Sequence, residues 1–199
     1  MPGRFEADIA AYEREPLPRP GRVVAFYGSS SIHLWADVQA CFPEIEIRNR
    51  GFGGSTLLEC ATYFDRLVSP LAPRALVLYA GENDIAEFGA GPADVLVRLL
   101  EVTRLIHARL PAIPFAVISI KPSPVRADFL ARMERANELV KKALEAMPCA
   151  TYIDIASAML DAAGSPRPEL FGEDGYHMSP AGYAIWRAAL KSWIDHLPA

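Results

Sequence analysis

Short apolar runs, each followed by a polar or glycine-rich loop and then by a helical pattern, recur five times along this chain and constrain its fold more than any other feature. The first run, residues 23–27, is β-branched and aromatic and lies between Pro20-Gly21 and Gly28. Short runs with such boundaries predict buried strands. The other four predicted strands are residues 45–49, 75–79, 115–120 and 151–155.

Helical patterns occupy the intervals between these strands. Residues 95–110 carry apolar side chains at three- and four-residue steps until Pro111, which predicts an amphipathic helix. Ser179-Pro180 begins the last helix, because serine caps free N–H groups and proline fits the first helical position. Further helices are predicted at residues 5–15, 32–40, 56–67 and 129–147.

Two of these helices carry specific packing predictions. In the helix at residues 32–40, the side chains available for the core are Leu34, Trp35 and Val38. In the last helix, the side chains predicted to face the core are Ile185, Ala189 and Trp193.

Strands that alternate with helices form parallel sheets covered on both faces. Because crossovers are right-handed, the sequence predicts an α/β fold, a three-layer α/β/α sandwich with a five-stranded parallel sheet of flavodoxin-like order 2-1-3-4-5. No internal repeat, low-complexity tract or long linker divides the chain. We therefore expect a single domain over residues 1–199, in which residues 1–21 form an N-terminal helix and a proline-rich lead-in.

Composition narrows the class of protein. The chain has 199 residues, 51% of them hydrophobic, which lets one domain bury about 70% of its unfolded surface. The net charge of −4 gives no reason to expect a nucleic-acid partner.

No apolar stretch approaches the ~18 residues of a membrane span, and the N-terminus lacks a signal-peptide pattern. We expect a cytoplasmic protein without a zinc site or disulfides, whose odd, widely spaced cysteines are small buried side chains: Cys41, Cys60 and Cys149.

Four loops rich in glycine, hydroxyl, amide and acidic groups are expected to meet at one edge of the sheet. They are residues 28–31, 51–55, 81–84 and 174–177. Ligands of open α/β sheets bind at the carboxyl ends of the strands. Ester hydrolysis by serine needs a hydroxyl, a base, a group that orients the base, and donors that face the developing oxyanion. This edge offers a candidate for each requirement.

Residue types and spacing suggest how the requirements are met. Asp174 and His177 lie three residues apart, so the carboxylate can hold one imidazole nitrogen while the other faces a serine. The backbone N–H groups of the nucleophile and of Gly54, with the Asn83 amide, are expected to converge on one oxygen as an oxyanion hole. The residues alone leave the nucleophile open among Ser29, Ser30 and Ser31.

The four loops resemble the sequence blocks of the SGNH, or GDSL-type, hydrolase superfamily over residues 23–186. The matching segments are residues 28–30, 49–54, 81–84 and 174–177. The resemblance implies a serine esterase that forms an acyl-enzyme on its nucleophile. In that reading the catalytic triad is Ser30, His177 and Asp174, and the oxyanion hole is formed by Ser30, Gly54 and Asn83.

The chain departs from the superfamily pattern at Ser29, where aspartate is usual. Since that aspartate is not a triad member in the family, the departure bears on support of the loop rather than on catalysis. Ser29 and Ser31 are accordingly expected to be loop and cap hydroxyls.

Other polar residues at the same edge have weaker patterns. His33 follows the serine loop and Lys121 ends the fourth predicted strand, so both are candidates for substrate contact. Glu82 and Asp84 flank Asn83, but without a histidine or further carboxylates nearby in sequence they are expected to support the loop by hydrogen bonds. We therefore expect no metal and no cofactor.

The expected substrate is a small ester, such as an acyl sugar or a short-chain lipid ester, and acyl transfer to another alcohol is a related outcome. Two alternatives belong to other classes. A non-catalytic homologue could bind carbohydrate or lipid, and a Gly-Ser-Ser-Ser loop after a strand could cradle the phosphate of flavin mononucleotide. The flavin alternative gives the paired Asp174 and His177 no purpose. The acyl group, the alcohol and the oligomeric state are not readable from the sequence.

Overall fold

Five parallel strands form one sheet at the centre of the computed structural model, which describes residues 3–198. The strand order is β2-β1-β3-β4-β5, and every neighbouring pair is parallel. The predicted fold class and strand order are therefore confirmed. The strands are β1 (Val23–Gly28), β2 (Glu46–Gly51), β3 (Ala75–Tyr79), β4 (Phe115–Ile118) and β5 (Ala150–Ile153).

Helices cover both faces of the sheet. They are α1 (Glu6–Glu13), α2 (Ser30–His33), α3 (Val38–Cys41), α4 (Leu57–Leu67), α5 (Glu82–Ala86), α6 (Pro92–Arg109), α7 (Leu130–Glu145) and α8 (Pro180–Asp195). Single 3₁₀ segments occur at Ser69–Leu71, Pro124–Phe129, Ser157–Met159 and Pro168–Leu170.

Alternate residues of a strand point to opposite faces, so each face of the sheet has its own core. Ala25 and Tyr27 of β1 pack with apolar side chains of α1, α4, α6 and α7. Val24 and Phe26 pack with those of α2, α3 and α8. The three layers follow from strands that are apolar on both sides.

The predicted helix at residues 32–40 is two short helices, α2 and α3. The chain leaves helical geometry at Asp37, with φ −98° and ψ 15°. Trp35 and Val38 are buried, but Leu34 is 45% exposed, so its predicted core position is wrong. The Trp35 ring packs against Phe26, with centroids 6.0 Å apart. Burial of a large aromatic side chain outweighs the continuity of a short helix.

The buried face of α8 lies one residue later than predicted. The predicted residues Ile185, Ala189 and Trp193 are only partly buried. The most deeply buried side chains on this stripe are Trp186, Leu190 and Ile194. The Trp186 ring packs against Tyr79 of β3, with centroids 4.7 Å apart. Either stripe satisfies the helical period, so packing against the sheet decides between them.

β4 and β5 each end two residues before their predicted ends, because side chains take over the backbone hydrogen bonds. Ser119 Oγ accepts from the N–H groups of Ile155 and Ala156 at 3.0 and 3.1 Å. Asn137 pairs with both backbone groups of Ile120, at 2.8 and 2.9 Å.

The cysteines differ in exposure. Cys60 is buried and Cys41 is partly buried, but Cys149 is exposed, so the prediction of three buried side chains is wrong for that residue. Cys149 lies at a turn with φ 62°. Within residues 3–198, none of the helices combines the length and apolarity needed to cross a bilayer.

Helix α1 is tied to the loop that follows β2. Phe5 is buried in the same core as α4, and Arg66 of α4 pairs with Glu6 at 2.8 Å. The Tyr12 hydroxyl donates to the carbonyl oxygen of Gly51, the last residue of β2, at 2.6 Å. The N-terminal segment therefore braces one of the four candidate loops.

Candidate active site

A cleft of about 680 Å³ opens at the carboxyl edge of the sheet. Residues of all four candidate loops line it: Ser30, Gly53, Gly54, Asn83, Tyr176 and His177. Its remaining wall residues are Arg4, His33, Leu34, Glu87, Phe88 and Arg126. The sheet therefore brings together side chains that are far apart in the sequence.

The turn after β1 separates the consecutive serines by exposure. A Cβ at Gly28, where φ is 134°, would lie 1.8 Å from the Tyr79 carbonyl oxygen, so only glycine lets β1 approach β3 here. Ser29 is buried and its backbone N–H donates to the same oxygen at 2.9 Å. Ser31 is also buried. Ser30, the first residue of α2, is partly exposed and faces the cleft.

Asp174 and His177 form a hydrogen-bonded pair within one turn. Asp174 Oδ2 lies 2.7 Å from His177 Nδ1, and Oδ1 accepts the N–H groups of Tyr176 and His177 at 3.0 and 2.9 Å. Desolvation opposes ionisation, but these hydrogen bonds outweigh it and hold the pKa of Asp174 below its ordinary value. Because an ionised carboxylate only accepts, Nδ1 carries the shared proton and Nε2 is left as the basic nitrogen.

Asn83 connects the first three candidate loops. It lies in α5, directly after β3, and is 7% exposed. Its Nδ2 donates to Ser29 Oγ at 2.9 Å and to the Ser55 carbonyl oxygen at 3.0 Å. Its Oδ1 accepts from Arg126 Nη1 at 3.1 Å. Both amide protons already have acceptors, so an additional oxygen in the cleft would share one of them.

The loop after β2 is held by side chains on both sides. Asn49 donates to the Ile32 carbonyl oxygen at 2.7 Å and accepts from the Gly51 N–H at 2.9 Å. The Gly51 carbonyl oxygen also lies 3.0 Å from His33 Nδ1. Gly54 follows with φ 79° and borders the cleft.

Comparison with known proteins identifies the family of the chain. The sequence profile of the GDSL-like Lipase/Acylhydrolase family matches residues 23–185. The chain belongs to this family. The predicted resemblance is thereby confirmed, and this GDSL-like protein is an ester-hydrolysing enzyme.

Relatives of this GDSL-like hydrolase cover nearly its whole length. Platelet-activating factor acetylhydrolase IB subunit alpha1 of Pongo abelii is 25% identical over 209 residues, which cover 98% of this chain and 82% of that protein. A Streptococcus pneumonia structure named for platelet activating factor has a TM-score of 0.82 at 19% identity, covering 96% of this chain and 91% of that one. A GDSL-like lipase from Bacteroides thetaiotaomicron has a TM-score of 0.75 at 23% identity, covering 96% of both chains. The two solved structures share the fold.

Lys121 of the hydrolase does not reach the cleft. Its side chain is 1% exposed and forms an ion pair with buried Glu82. Glu82 also accepts from the Tyr79 hydroxyl at 2.8 Å. The predicted contact between Lys121 and substrate is therefore wrong for this structure, because the buried carboxylate holds the ammonium group inside.

Asp84, the second acidic neighbour of Asn83, also has a supporting position. It accepts from the Leu57 N–H at 3.0 Å and from Arg98 Nη1 at 2.7 Å. In the part of the chain that the structure describes, no group of three or more His, Cys, Asp or Glu side chains is arranged to hold a metal.

His33, the other residue predicted as a candidate for substrate contact, does line the cleft. Five other wall residues of the GDSL-like hydrolase had no predicted role in the cleft: Arg4, Leu34, Glu87, Phe88 and Arg126. Arg126 follows β4, whose carboxyl end lies at the same edge as the other loops. A basic residue in that loop was the available signal. Arg4 had no comparable signal, because its position depends on how α1 docks.

Proposed function

We propose that this GDSL-like hydrolase cleaves small carboxylic esters through an acyl-enzyme on Ser30. The observation that carries the proposal is the Asp174–His177 pair, whose imidazole faces the cleft that Ser30 also lines. In the first step His177 Nε2 takes the hydroxyl proton of Ser30 while Oγ attacks the ester carbonyl carbon. The carbonyl oxygen becomes the oxyanion of a tetrahedral intermediate.

The remaining steps return the enzyme to its starting state. Collapse of the intermediate expels the alkoxide, which receives the proton from His177 and leaves as the alcohol. A water molecule then loses a proton to His177 and attacks the acyl carbon. The second intermediate collapses to the carboxylic acid, and the proton returns to Ser30 Oγ. Asp174 accepts the hydrogen bond from the Nδ1–H of His177 throughout and stabilises the transient imidazolium.

The proposed oxyanion hole consists of the N–H groups of Ser30 and Gly54 and the amide of Asn83. The N–H of Ser30 lies at the start of α2, where helix N–H groups have no intrahelical acceptor. Asn83 would share the proton that now points to Ser29 Oγ. An oxyanion is a stronger acceptor than a neutral hydroxyl, so the shared hydrogen bond strengthens as charge develops.

The cleft suits an acyl sugar or a short-chain lipid ester. Its wall combines the exposed apolar side chains of Leu34 and Phe88 with polar and charged groups such as Arg4. The curated relative is named as an acetylhydrolase, which supports a small acyl group. We also propose that residues 1–199 form one domain, which the five-stranded sheet supports. We further propose that the enzyme is cytoplasmic, which the free cysteines support.

The test is hydrolysis of p-nitrophenyl acetate, combined with fluorophosphonate labelling followed by intact mass. Ser30→Ala is expected to lower kcat by at least about 10⁴-fold and to abolish labelling. His177→Ala should be similarly impaired. Ser31→Ala is the matched control, since its buried side chain lies outside the cleft wall, and it should keep activity and labelling.

Labelling or full activity of Ser30→Ala would refute the proposed nucleophile, and full activity of His177→Ala would refute the proposed base. Wild-type protein that neither hydrolyses esters nor accepts the label would instead favour the non-catalytic alternative. The substrate class is measured with p-nitrophenyl esters of increasing acyl length and with acetylated monosaccharides. A preference for long acyl chains would contradict the proposed small ester.

A further inference from the structure

Arg126 lies behind Asn83 at the wall of the cleft. Its side chain is 10% exposed. Nη1 donates to Asn83 Oδ1 at 3.1 Å, and Nη2 donates to Glu87 Oε1 at 2.6 Å. The guanidinium therefore contacts the oxygen end of the amide whose nitrogen end faces Ser29.

Buried charges hold Arg126 in this position. Nη1 also lies 3.1 Å from Glu82 Oε1, and Glu82 is paired with Lys121. Burial tends to raise the pKa of Glu82, but Lys121 and Arg126 outweigh it and hold the pKa below its ordinary value. The ionised carboxylate of Glu82 therefore forms a buried ion pair with the Arg126 guanidinium.

Arg126 also contacts the loop that carries the candidate base. Its Cζ lies 5.1 Å from the centre of the Tyr176 ring, a cation–π distance. The Tyr176 ring in turn packs on the His177 ring, with centroids 4.0 Å apart. One guanidinium thus joins the Asn83 loop to the His177 loop.

A charged donor at the amide oxygen has two physical effects on Asn83. It fixes the rotation of the amide, since a flipped side chain would place its NH₂ group against the guanidinium. It also draws electron density toward Oδ1, which makes the N–H groups stronger donors, because hydrogen bonds in a chain polarise one another. Both effects favour a donor that must face an oxyanion.

We propose that Arg126 is a positioning residue that orients and polarises the Asn83 amide for stabilisation of the oxyanion. This inference rests on the proposed function, in which Asn83 belongs to the oxyanion hole. It predicts that Arg126 acts on the rate through Asn83. An arginine that only bridged loops, or that only bound substrate, would act independently of Asn83.

A double-mutant cycle on ester hydrolysis separates these roles. Asn83→Ala is expected to lower kcat by about 10²–10³-fold. Arg126→Gln in the wild-type background should lower kcat by at least about 10-fold with a smaller change in KM. In the Asn83→Ala background, Arg126→Gln should change kcat by less than about 2-fold, because the group through which it acts is gone. Arg126→Lys in the same cycle serves if Arg126→Gln does not fold.

Chemical rescue that depends on Asn83 gives a readout that a loop-bridging role would not produce. Millimolar guanidinium should raise kcat of Arg126→Ala, and it should not raise kcat of the Arg126→Ala/Asn83→Ala double variant. Arg98→Gln is the matched control. It removes an arginine from the ion pair with buried Asp84, and Arg98 is not part of the cleft wall, so added guanidinium should leave its kcat unchanged.

The outcomes distinguish this inference from the proposed function. If Asn83→Ala is impaired and Arg126→Gln lowers kcat equally in both backgrounds, the positioning role is overturned while the oxyanion hole stands. A loss confined to KM overturns it in favour of substrate binding. If Asn83→Ala keeps full kcat, the oxyanion assignment itself fails, and the role of Arg126 fails with it.

Discussion

Asp174 Oδ2 lies 2.7 Å from His177 Nδ1, and the two residues are only three positions apart in the chain. The same carboxylate caps the turn by accepting the N–H of Tyr176 at 3.0 Å. The turn itself therefore fixes the orientation of the imidazole. Ser30, in contrast, is distant from this turn in the sequence. It lines the same cleft because it follows β1, a strand of the central sheet.

Asp174→Asn is expected to lower kcat by about 10²–10⁴-fold. The asparagine amide can donate to Nδ1, which favours the tautomer with its proton on Nε2 and leaves no base for Ser30. Initial rates on p-nitrophenyl acetate measure the effect. Glu173→Gln, which changes the exposed neighbouring carboxylate, is the control and should behave as wild type. Full kcat in Asp174→Asn would show that Asp174 does not orient the base.

Ser29→Ala is expected to lower both the stability of the protein and the kcat of ester hydrolysis. Ser29 Oγ is the acceptor of one Asn83 N–H, and its loss leaves a buried donor unsatisfied. We expect a decrease of about 1 kcal/mol in the free energy of unfolding and of about 3- to 10-fold in kcat. Urea unfolding and steady-state kinetics measure the two effects. Ser31→Ala is the control, and equal effects in both variants would contradict a specific role for Ser29.

Lys121→Met is expected to cost stability, because it leaves the buried Glu82 carboxylate with less compensating charge. The expected loss in the free energy of unfolding is about 3 kcal/mol. Adding Glu82→Gln should recover part of that loss. Lys191→Met, which breaks the exposed pair with Asp195, should cost less than about 0.5 kcal/mol. Similar losses in the buried and exposed variants would contradict the role of burial.

Asp65 provides a prediction for acid pH. Hydrogen bonds from Arg109 and Ser69 lower the pKa of Asp65 to about 2. Because the folded pKa lies below the unfolded value, the stabilisation is fully present above about pH 4 and is lost as the pH falls through about 2. Asp65→Asn should therefore lower Tm slightly near neutral pH and not at about pH 2. The side chains are half exposed, so the difference is small. A Tm difference that persists at about pH 2 would contradict it.

Strand positions followed from local patterns. The prediction for β3 matches both of its ends, Ala75 and Tyr79, because a strand covered on both faces is a continuous apolar run between polar boundaries. The ends of β4 and β5 were less predictable. They depend on the side chains of Ser119 and Asn137, whose partners lie 17 or more residues away.

In the candidate site, too, local contacts could be predicted from the sequence and contacts between distant residues could not. The Asp174–His177 contact could be inferred from a spacing of three residues. Lys121 was assigned to the cleft because it lies at the carboxyl edge, but its partner Glu82 is 39 residues away and holds it inside. Arg126 had no predicted contact with Asn83, because that contact spans 43 residues.

The sequence by itself determined the alternation of strands and helices, the order of the sheet and the four loops at its carboxyl edge. These features depend on periodicity and turn chemistry within short windows of the chain. Only the tertiary structure decided which stripe of α8 is buried and which charged side chains reach the site. Those outcomes depend on packing and ion pairing between distant segments, because burial of a charge or an aromatic ring is set by its neighbours in space.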